Sequence, residues 1–348
     1  MSEKATEMVA KPCELERVRE TEWFKALSRY ERPSVPKALW QLADTLIPYA
    51  VLWYVMVRLV ERHAPYVYTL GLAIPAAGFL VRIFIFFHDC CHGSFFPWQR
   101  ANRIVGFFMG VLVFTPFDEW RHSHAIHHAT SGDLERRGVG DVWTMTVGEY
   151  LKAPFRTRIV YRFYRNPIVL FLIAPTIMFT VYNRLPGKGQ GSRERRSVYA
   201  TNFALVAILI AAAITIGPRA YLLIQVPIIG FASSIGVWMF YVQHQYEKVY
   251  WKPHPEWDPI AAALAGSSFY KLPAVLQWFT GNIGFHHIHH LRPRIPNYNL
   301  QRCFRDVPAL QKAETLTLLT SLKSMFLNVF DEAERRLVSF RALKRRTA

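Results

Sequence analysis

Of the 348 residues, 51% are hydrophobic and 15% are aromatic, and the formal net charge is +17. Apolar residues at this level, gathered into long blocks, are unusual for a soluble domain and favour an integral membrane protein. The basic residues flank these blocks without a nucleic-acid recognition module, so nucleic acid is not an expected partner.

Four apolar blocks are long enough to cross a bilayer, since each approaches the roughly 20 residues that a spanning helix needs. Two shorter runs, Ile104–Phe117 and Ile168–Tyr182, are expected to dip into the bilayer or to lie at its surface. The predicted fold is therefore an all-α integral membrane protein with four transmembrane helices, or six if the second short run crosses as a hairpin. The four blocks are Ala38–Leu59, Val67–Phe87, Val198–Ile216 and Ala220–Val242.

The blocks divide the chain into three parts. We expect a polar N-terminal arm over residues 1–36, a membrane domain over 37–310, and a C-terminal extension of amphipathic helix over 311–348. Arginine and lysine are frequent between residues 136 and 165 and again in the last residues, so the positive-inside rule predicts that these segments and both termini are cytoplasmic. The cysteines at 13, 90, 91 and 303 form no CxxC motif, and we predict four free thiols.

Eight of the 13 histidines fall into three clusters with helical spacing. The sequences are HDCCH directly after the second block, HSHAIHH, and HHIHH. Offsets of three and four residues lie on one helix face, so each cluster can present two or three imidazoles to one point. His244, at the end of the fourth block, faces the same boundary and is a possible ninth member. The candidates are His88, His92, His124, His127, His128, His244, His286, His289 and His290.

So many imidazoles exceed the capacity of one metal ion, and the sequence predicts two. Imidazole suits zinc, copper, iron and nickel, so the ligand type alone does not name the metal. Asp89, inside the first cluster, is better placed to accept a hydrogen bond from an imidazole than to bind the metal. The other histidines, His63, His122, His254 and His287, are expected to have no ligand role. The clusters can meet only on one side of the membrane, and four spans with both short runs not crossing satisfy this condition.

The segments HDCCH, SHAIHH and GFHHIHH resemble the three histidine boxes of the integral-membrane fatty acid desaturases. The three-residue spacing inside the first box resembles the acyl-lipid branch. The stretches WRHSHAIHHATSGDLER and EWDPIAAALAGSSFY are similar to enzymes that act on oleoyl-type chains at the Δ12 (ω-6) position. The resemblance extends from about residue 36 to about residue 310.

This resemblance implies a cytoplasmic di-iron centre in the inner membrane, which uses O₂ as co-substrate and carries the nine histidines as ligands. At one position this chain departs from the acyl-CoA enzymes. They have an asparagine one helical turn before the extra histidine, and this chain has Phe240 there. Asn282, one turn before His286, is a candidate substitute that would contact a metal ligand without binding the metal itself, and helix capping is the alternative role. No flavin, nicotinamide or haem motif accompanies the boxes, so we expect electrons from a separate ferredoxin or cytochrome b5.

Three other functions fit parts of this pattern. A lipid or alkane hydroxylase would use the same metal pair and leave oxygen on the chain. A metal transporter would carry ligands near the centre of its spans, where this sequence has no histidine. A zinc hydrolase seldom needs more than four protein ligands for one ion.

Overall fold

The structure is a computed structural model that describes residue 18 and residues 21–187 and 189–347. Most of the predicted arm before residue 21, including Cys13, therefore lies outside the described residues. The helices, numbered in chain order, are α1 Glu22–Ala26, α2 Val35–Glu61, α3 Tyr66–His92, α4 Gln99–Leu112, α5 Phe117–Thr130, α6 Val147–Lys152, α7 Phe155–Tyr164, α8 Ala174–Thr180, α9 Ser192–Thr215, α10 Pro218–His244, α11 Pro259–Ala265, α12 Ala274–Phe279, α13 His286–Leu291, α14 Asn297–Asp306, α15 Leu318–Ser321 and α16 Phe340–Thr347.

Four of these helices, α2, α3, α9 and α10, are long and apolar enough to span a membrane. They contain the four predicted blocks, except that Ile216 follows the end of α9, so the predicted four-span helical membrane fold is confirmed. The helix α3 packs against α2, α4 and α10. Small residues on its outer half, Ala73, Ala76 and Ala77, are completely buried, and they allow neighbouring helices to approach closely.

The two short apolar runs do not form long helices. The first begins within α4, whose 14 residues are fewer than the roughly 20 needed to cross, and continues through a turn to Phe117 at the start of α5. The second forms a π-helical turn, Val169–Ile173, followed by α8 and a 3₁₀ turn, Tyr182–Arg184. This segment is bent by 61° from α7, and the pair would make a fifth span only if the two were one broken helix.

In the part of the chain that the structure describes, four short strands form two small sheets. The strand β1 (Phe269–Tyr270) pairs in parallel with β2 (Thr315–Leu316). The strands β3 (Val329–Asp331) and β4 (Arg336–Val338) form an antiparallel hairpin.

The hairpin makes the C-terminal extension different from the amphipathic helix that we predicted for 311–348. The chain leaves the helical pattern at β2, and β3 and β4 replace helix between α15 and α16. The physical reason is local, because Asp331 Oδ1 accepts hydrogen bonds from the main-chain N–H groups of Ala333 and Glu334 and so closes a turn. Val329, Phe330 and Leu337 are then buried on a strand.

The three described cysteines, Cys90, Cys91 and Cys303, are free and buried. Burial raises the pKa of the Cys303 thiol to about 12, so very little reactive thiolate forms at neutral pH. In a Cys13→Ser variant, we expect the three remaining thiols of the folded protein to resist a water-soluble maleimide. Rapid labelling of the folded Cys13→Ser variant would contradict this burial, and labelling after unfolding is the control.

Candidate metal centre

The candidate ligands lie at the ends of helices on one side of the four spans. His88 and His92 occupy the last turns of α3, and His244 is the last residue of α10. The second cluster lies on α5 and the third on α13. Each cluster therefore has the helical geometry that its spacing predicts, and three separate stretches of chain converge.

Five imidazoles from three helices form the first group. In this group, one ring nitrogen from each residue lies within 4.8 Å of the others. His289 Nε2 is 2.9 Å from His128 Nε2, which is 3.1 Å from His124 Nε2. The group consists of His88, His92, His124, His128 and His289.

The second group lies directly beside the first. His127, His244 and His290 bring their ring nitrogens within 4.8 Å of one another. His286 completes it, because its Nε2 is 2.9 Å from His244 Nε2 and 3.2 Å from His290 Nε2. The two groups meet along α5, where the neighbouring residues His127 and His128 belong to different groups.

These groups have the donor set and spacing of metal sites. Ligand atoms at right angles on an ion, each bound at about 2.1 Å, are about 3.0 Å apart, and the Nε2–Nε2 distances here are 2.9–3.3 Å. Buried Nε2 atoms of His88 and His92 have no hydrogen-bond partner. Unpartnered buried nitrogens cost free energy unless something binds them, and a cation does so.

Burial also keeps the imidazoles in the form that binds metal. It is the largest cause that lowers the pKa of five ligand candidates outside the spans, and neighbouring histidines lower it further. These rings are neutral near pH 7, so their lone pairs are free for an ion. The affected residues are His124, His128, His286, His289 and His290.

Asp89 fixes the orientation of the first group. Its Oδ1 lies 3.2 Å from His88 Nδ1. Its Oδ2 accepts hydrogen bonds from the main-chain N–H and the side-chain amide of Asn297, at 2.7 and 2.9 Å. Gln41 on α2 donates to Asn297 Oδ1 at 2.9 Å. With its Nδ1 beside a carboxylate, His88 can direct Nε2 towards the group.

Asp141 has the same relation to the second group. Its Oδ1 lies 2.5 Å from His127 Nδ1. Burial alone would raise the pKa of Asp141, but the hydrogen bond with His127 and nearby imidazoles lower it below its usual range. His244 Nδ1 lies 3.2 Å from the carbonyl oxygen of Gly266. Both rings therefore have an acceptor at Nδ1 and present Nε2 to the group.

Aromatic side chains close the space around the imidazoles. The ring of Trp120 stacks on His124 with centroids 4.2 Å apart. Phe240 packs beside two rings of the second group, with its centroid 5.1 Å from that of His127 and 5.0 Å from that of His244. The position where the resemblance leads us to expect an asparagine is therefore apolar in space as well as in sequence.

Asn282 lies in a left-handed turn and not beside a ring nitrogen. It accepts a hydrogen bond from Gln277 and donates to the carbonyl of Asn297, with φ at 60°. It is linked to the first group only indirectly, through Asn297 and Asp89. Its predicted action on a metal ligand stays a prediction, and its contacts favour a role in shaping the turn before α13.

The remaining histidines have other surroundings. His287 Nε2 is 3.0 Å from the carbonyl of Leu310, and His254 Nδ1 is 2.7 Å from Asp133. His63 and His122 are exposed. The structure keeps all four out of the two groups.

Sequence reasoning missed Asp141, Asn297 and the Gly266 carbonyl. Asp141 lies in a glycine-containing loop, 14 residues after its partner, and nothing in its local sequence sets it apart from a surface acid. Asn297 is 208 residues from Asp89. The general preference of a metal-binding imidazole for an acceptor at its second nitrogen indicates that such residues exist. His88, His127 and His244 have one, whereas Nδ1 of His128, His286 and His289 is buried without a hydrogen-bond partner.

We expect Asp141→Asn to weaken metal binding at the second group by about 10- to 100-fold, because the neutral amide holds His127 less firmly in the required tautomer. Metal content after dialysis against a graded chelator measures the effect. Glu135→Gln, in the same loop, is the matched control and should keep its metal. Equal retention by the two variants would show that Asp141 does not act through His127.

The fold and these groups together define a helical membrane protein with a histidine-rich candidate metal centre at one end of its spans. A family model described as fatty acid desaturase matches residues 63–320. The chain belongs to the fatty acid desaturase family, as the histidine boxes predict, and it is therefore a membrane oxidoreductase.

Relatives support this family assignment. A protein named fatty acid desaturase from Bacillus subtilis (strain 168) is 47% identical over 92% of this chain and 90% of its own length. An acyl-lipid omega-3 desaturase (cytochrome b5) of the endoplasmic reticulum from Arabidopsis thaliana is 30% identical over 63% of this chain and 58% of its own. An sn-2 acyl-lipid omega-3 desaturase (ferredoxin) from the same plant's chloroplast is 28% identical, over 63% and 50%.

Proposed function

We propose that this protein uses O₂ and a pair of iron ions to introduce a double bond into an acyl chain of membrane lipid. The observation that carries the proposal is the pair of adjacent, buried, nitrogen-only groups at the end of four apolar spans. The names of its relatives as acyl-lipid desaturases support the substrate class.

The chemistry requires an oxidant that no side chain provides. Removing two hydrogens from adjacent methylenes of an unactivated chain is beyond a general base. A bound iron pair supplies the O₂ activation and electron transfer for this oxidation. The five-histidine group would hold one iron, and His127, His244, His286 and His290 the other.

The protein's own residues hold and shield the site. Asp89 and Asp141 accept from Nδ1 of His88 and His127 and keep Nε2 free for metal. Trp120 and Phe240 pack against the imidazoles and limit access of water from their sides. The spans supply an apolar surface along which a lipid chain can approach without leaving the membrane.

For the double-bond position we propose Δ12 on an oleoyl-type chain, from the resemblance of the box segments. The two Arabidopsis relatives carry omega-3 in their names, so an omega-3 product is the main competing outcome. Expression in a host whose membranes contain oleate and linoleate, followed by mass-spectrometric location of new double bonds, separates the two. A Δ12 diene as the new product supports the proposal. An omega-3 triene would show that the enzyme forms the omega-3 double bond instead. A hydroxylated chain as the main product would show that it is a hydroxylase.

We further propose that the site and both termini face the cytoplasm and that a ferredoxin, or else a cytochrome b5, supplies the electrons. The basic segments near the site suit an acidic donor. Reconstituted turnover with ferredoxin should fall as ionic strength rises, because salt screens the attraction. Turnover that is indifferent to salt would remove the docking argument, and cytochrome b5 in place of ferredoxin tests the donor itself.

A further inference from the structure

Residues 318–326 have the opposite polarity from a segment exposed to water. They comprise α15 and the 3₁₀ turn Leu322–Phe326. Ser321 and Ser324 point into the protein and are 0% and 2% exposed, whereas Leu319 is 80% and Phe326 is 61% exposed. Water would favour the reverse arrangement, with leucines inside and serines outside. The inversion indicates that the medium outside this segment is apolar.

The strand pairing gives the direction in which the segment faces. Because β1 and β2 are parallel, the chain leaves both strands at the same end, towards α12 after β1 and towards α15 after β2. The helix α12 is at membrane depth, since the rings of Trp278 and Phe279 lie 5.8 and 5.1 Å from Phe79 in the middle of α3. The helix α15 therefore emerges on the membrane side of the small sheet.

Contacts with α10 join the segment to the surface of the spans. Tyr241 donates its hydroxyl hydrogen towards the carbonyls of Ser324 and Leu327, each at 3.0 Å. Trp238 donates to Tyr270 at 3.2 Å, and the Tyr270 hydroxyl lies 3.1 Å from Ser321 Oγ. Trp238 and Tyr241 occupy the last two turns of α10, where aromatic residues mark a membrane–water interface.

We propose that residues 318–326 insert their apolar side into the lipid leaflet next to the candidate metal centre. The partner is the boundary between lipid headgroups and acyl chains. Leu318, Leu319, Leu322 and Phe326 enter the apolar layer, and the exposed ammonium of Lys323 remains among the headgroups. The extension predicted to be cytoplasmic is thus partly a membrane-contact element, and this inference holds whatever bond the enzyme forms.

Fluorescence quenching in vesicles tests this insertion. Leu319→Cys is introduced into the Cys13→Ser background, labelled with bimane and reconstituted in phosphatidylcholine vesicles with or without nitroxide-labelled phosphatidylcholine. Ala333→Cys, at the exposed tip of the β3–β4 hairpin, is the matched control. We expect position 319 to be quenched by the lipid nitroxide and protected from iodide, and position 333 to behave in the opposite way.

Two results would overturn the proposal. One is iodide quenching of position 319 equal to that of position 333, which would place the segment in water. The other is protection from both quenchers together with efficient cross-linking between two chains at position 319, which would make a second copy the partner. Leu322→Cys, on the same exposed side, repeats the measurement if the first variant reconstitutes poorly.

Discussion

Replacing His289 with alanine is expected to abolish desaturation and to remove the metal ion proposed for the five-histidine group. His289 is the member of that group that α13 contributes, and its Nε2 lies 2.9 Å from His128 Nε2. Loss of the residue that accepts a hydrogen bond from a metal-binding histidine already lowers metal affinity by about 10- to 100-fold. Loss of the histidine itself should therefore lower product formation by at least about 100-fold. Iron content of the purified protein and product analysis by mass spectrometry measure the two effects.

His122→Ala is the matched control, because His122 lies on the same helix as three candidate ligands but is exposed. It should retain iron and activity. A His289→Ala variant with unchanged iron content and activity would exclude the first group as a metal site. Stoichiometric zinc without iron in an active preparation would exclude the oxidative chemistry for the whole centre.

The membrane spans and the histidine-bearing helices could be predicted because the information is local. A span requires only length and apolar composition. The offsets within HDCCH or HHIHH place imidazoles on one face of any helix that contains them. The convergence of the three boxes followed from a single further condition, that they lie on one side of the membrane.

Among the residues that orient the ligands, Asp89 could be predicted because it lies directly beside His88 in sequence. Asp141 and Asn297 could not, because each lies well outside the local motif of its partner. Asp89 meets Asn297 across 208 residues. The helix predicted for the C-terminal extension is wrong for a different reason. Its leucines suit an amphipathic helix, but β2 pairs with the distant strand β1, and the side chain of Asp331 closes a local turn that interrupts the helix.

The buried, paired position of Arg82 was also not predicted, because one charge among many apolar residues does not change the prediction of a span. It lies in α3 and is 3% exposed. Its guanidinium donates to Thr45 Oγ1 at 3.0 Å and to the carbonyl of Trp278, and it lies 3.7 Å from the carboxylate of Asp44. An ionisable residue within a span is costly unless such partners satisfy it.

Arg82→Met is expected to lower the free energy of unfolding by about 3–5 kcal/mol, because it leaves Asp44 unpaired in a largely buried position. Titration with sodium dodecyl sulfate in mixed micelles, followed by circular dichroism, measures the change. Arg58→Met is the control, since the Arg58–Glu61 pair is exposed, and such pairs contribute at most about 1 kcal/mol.

The double variant Arg82→Met/Asp44→Asn separates loss of the ion pair from loss of packing. Removing the unpaired charge should restore part of the stability lost in Arg82→Met, so the two substitutions should be clearly non-additive. Additive losses would show that Asp44 is solvated independently of Arg82.

The Trp278 carbonyl remains without its donor in both variants, and α12 leads through residues 280–285 to His286. Weaker metal binding in both variants, even after stability is partly restored, would therefore indicate that Arg82 positions the third histidine box against the first.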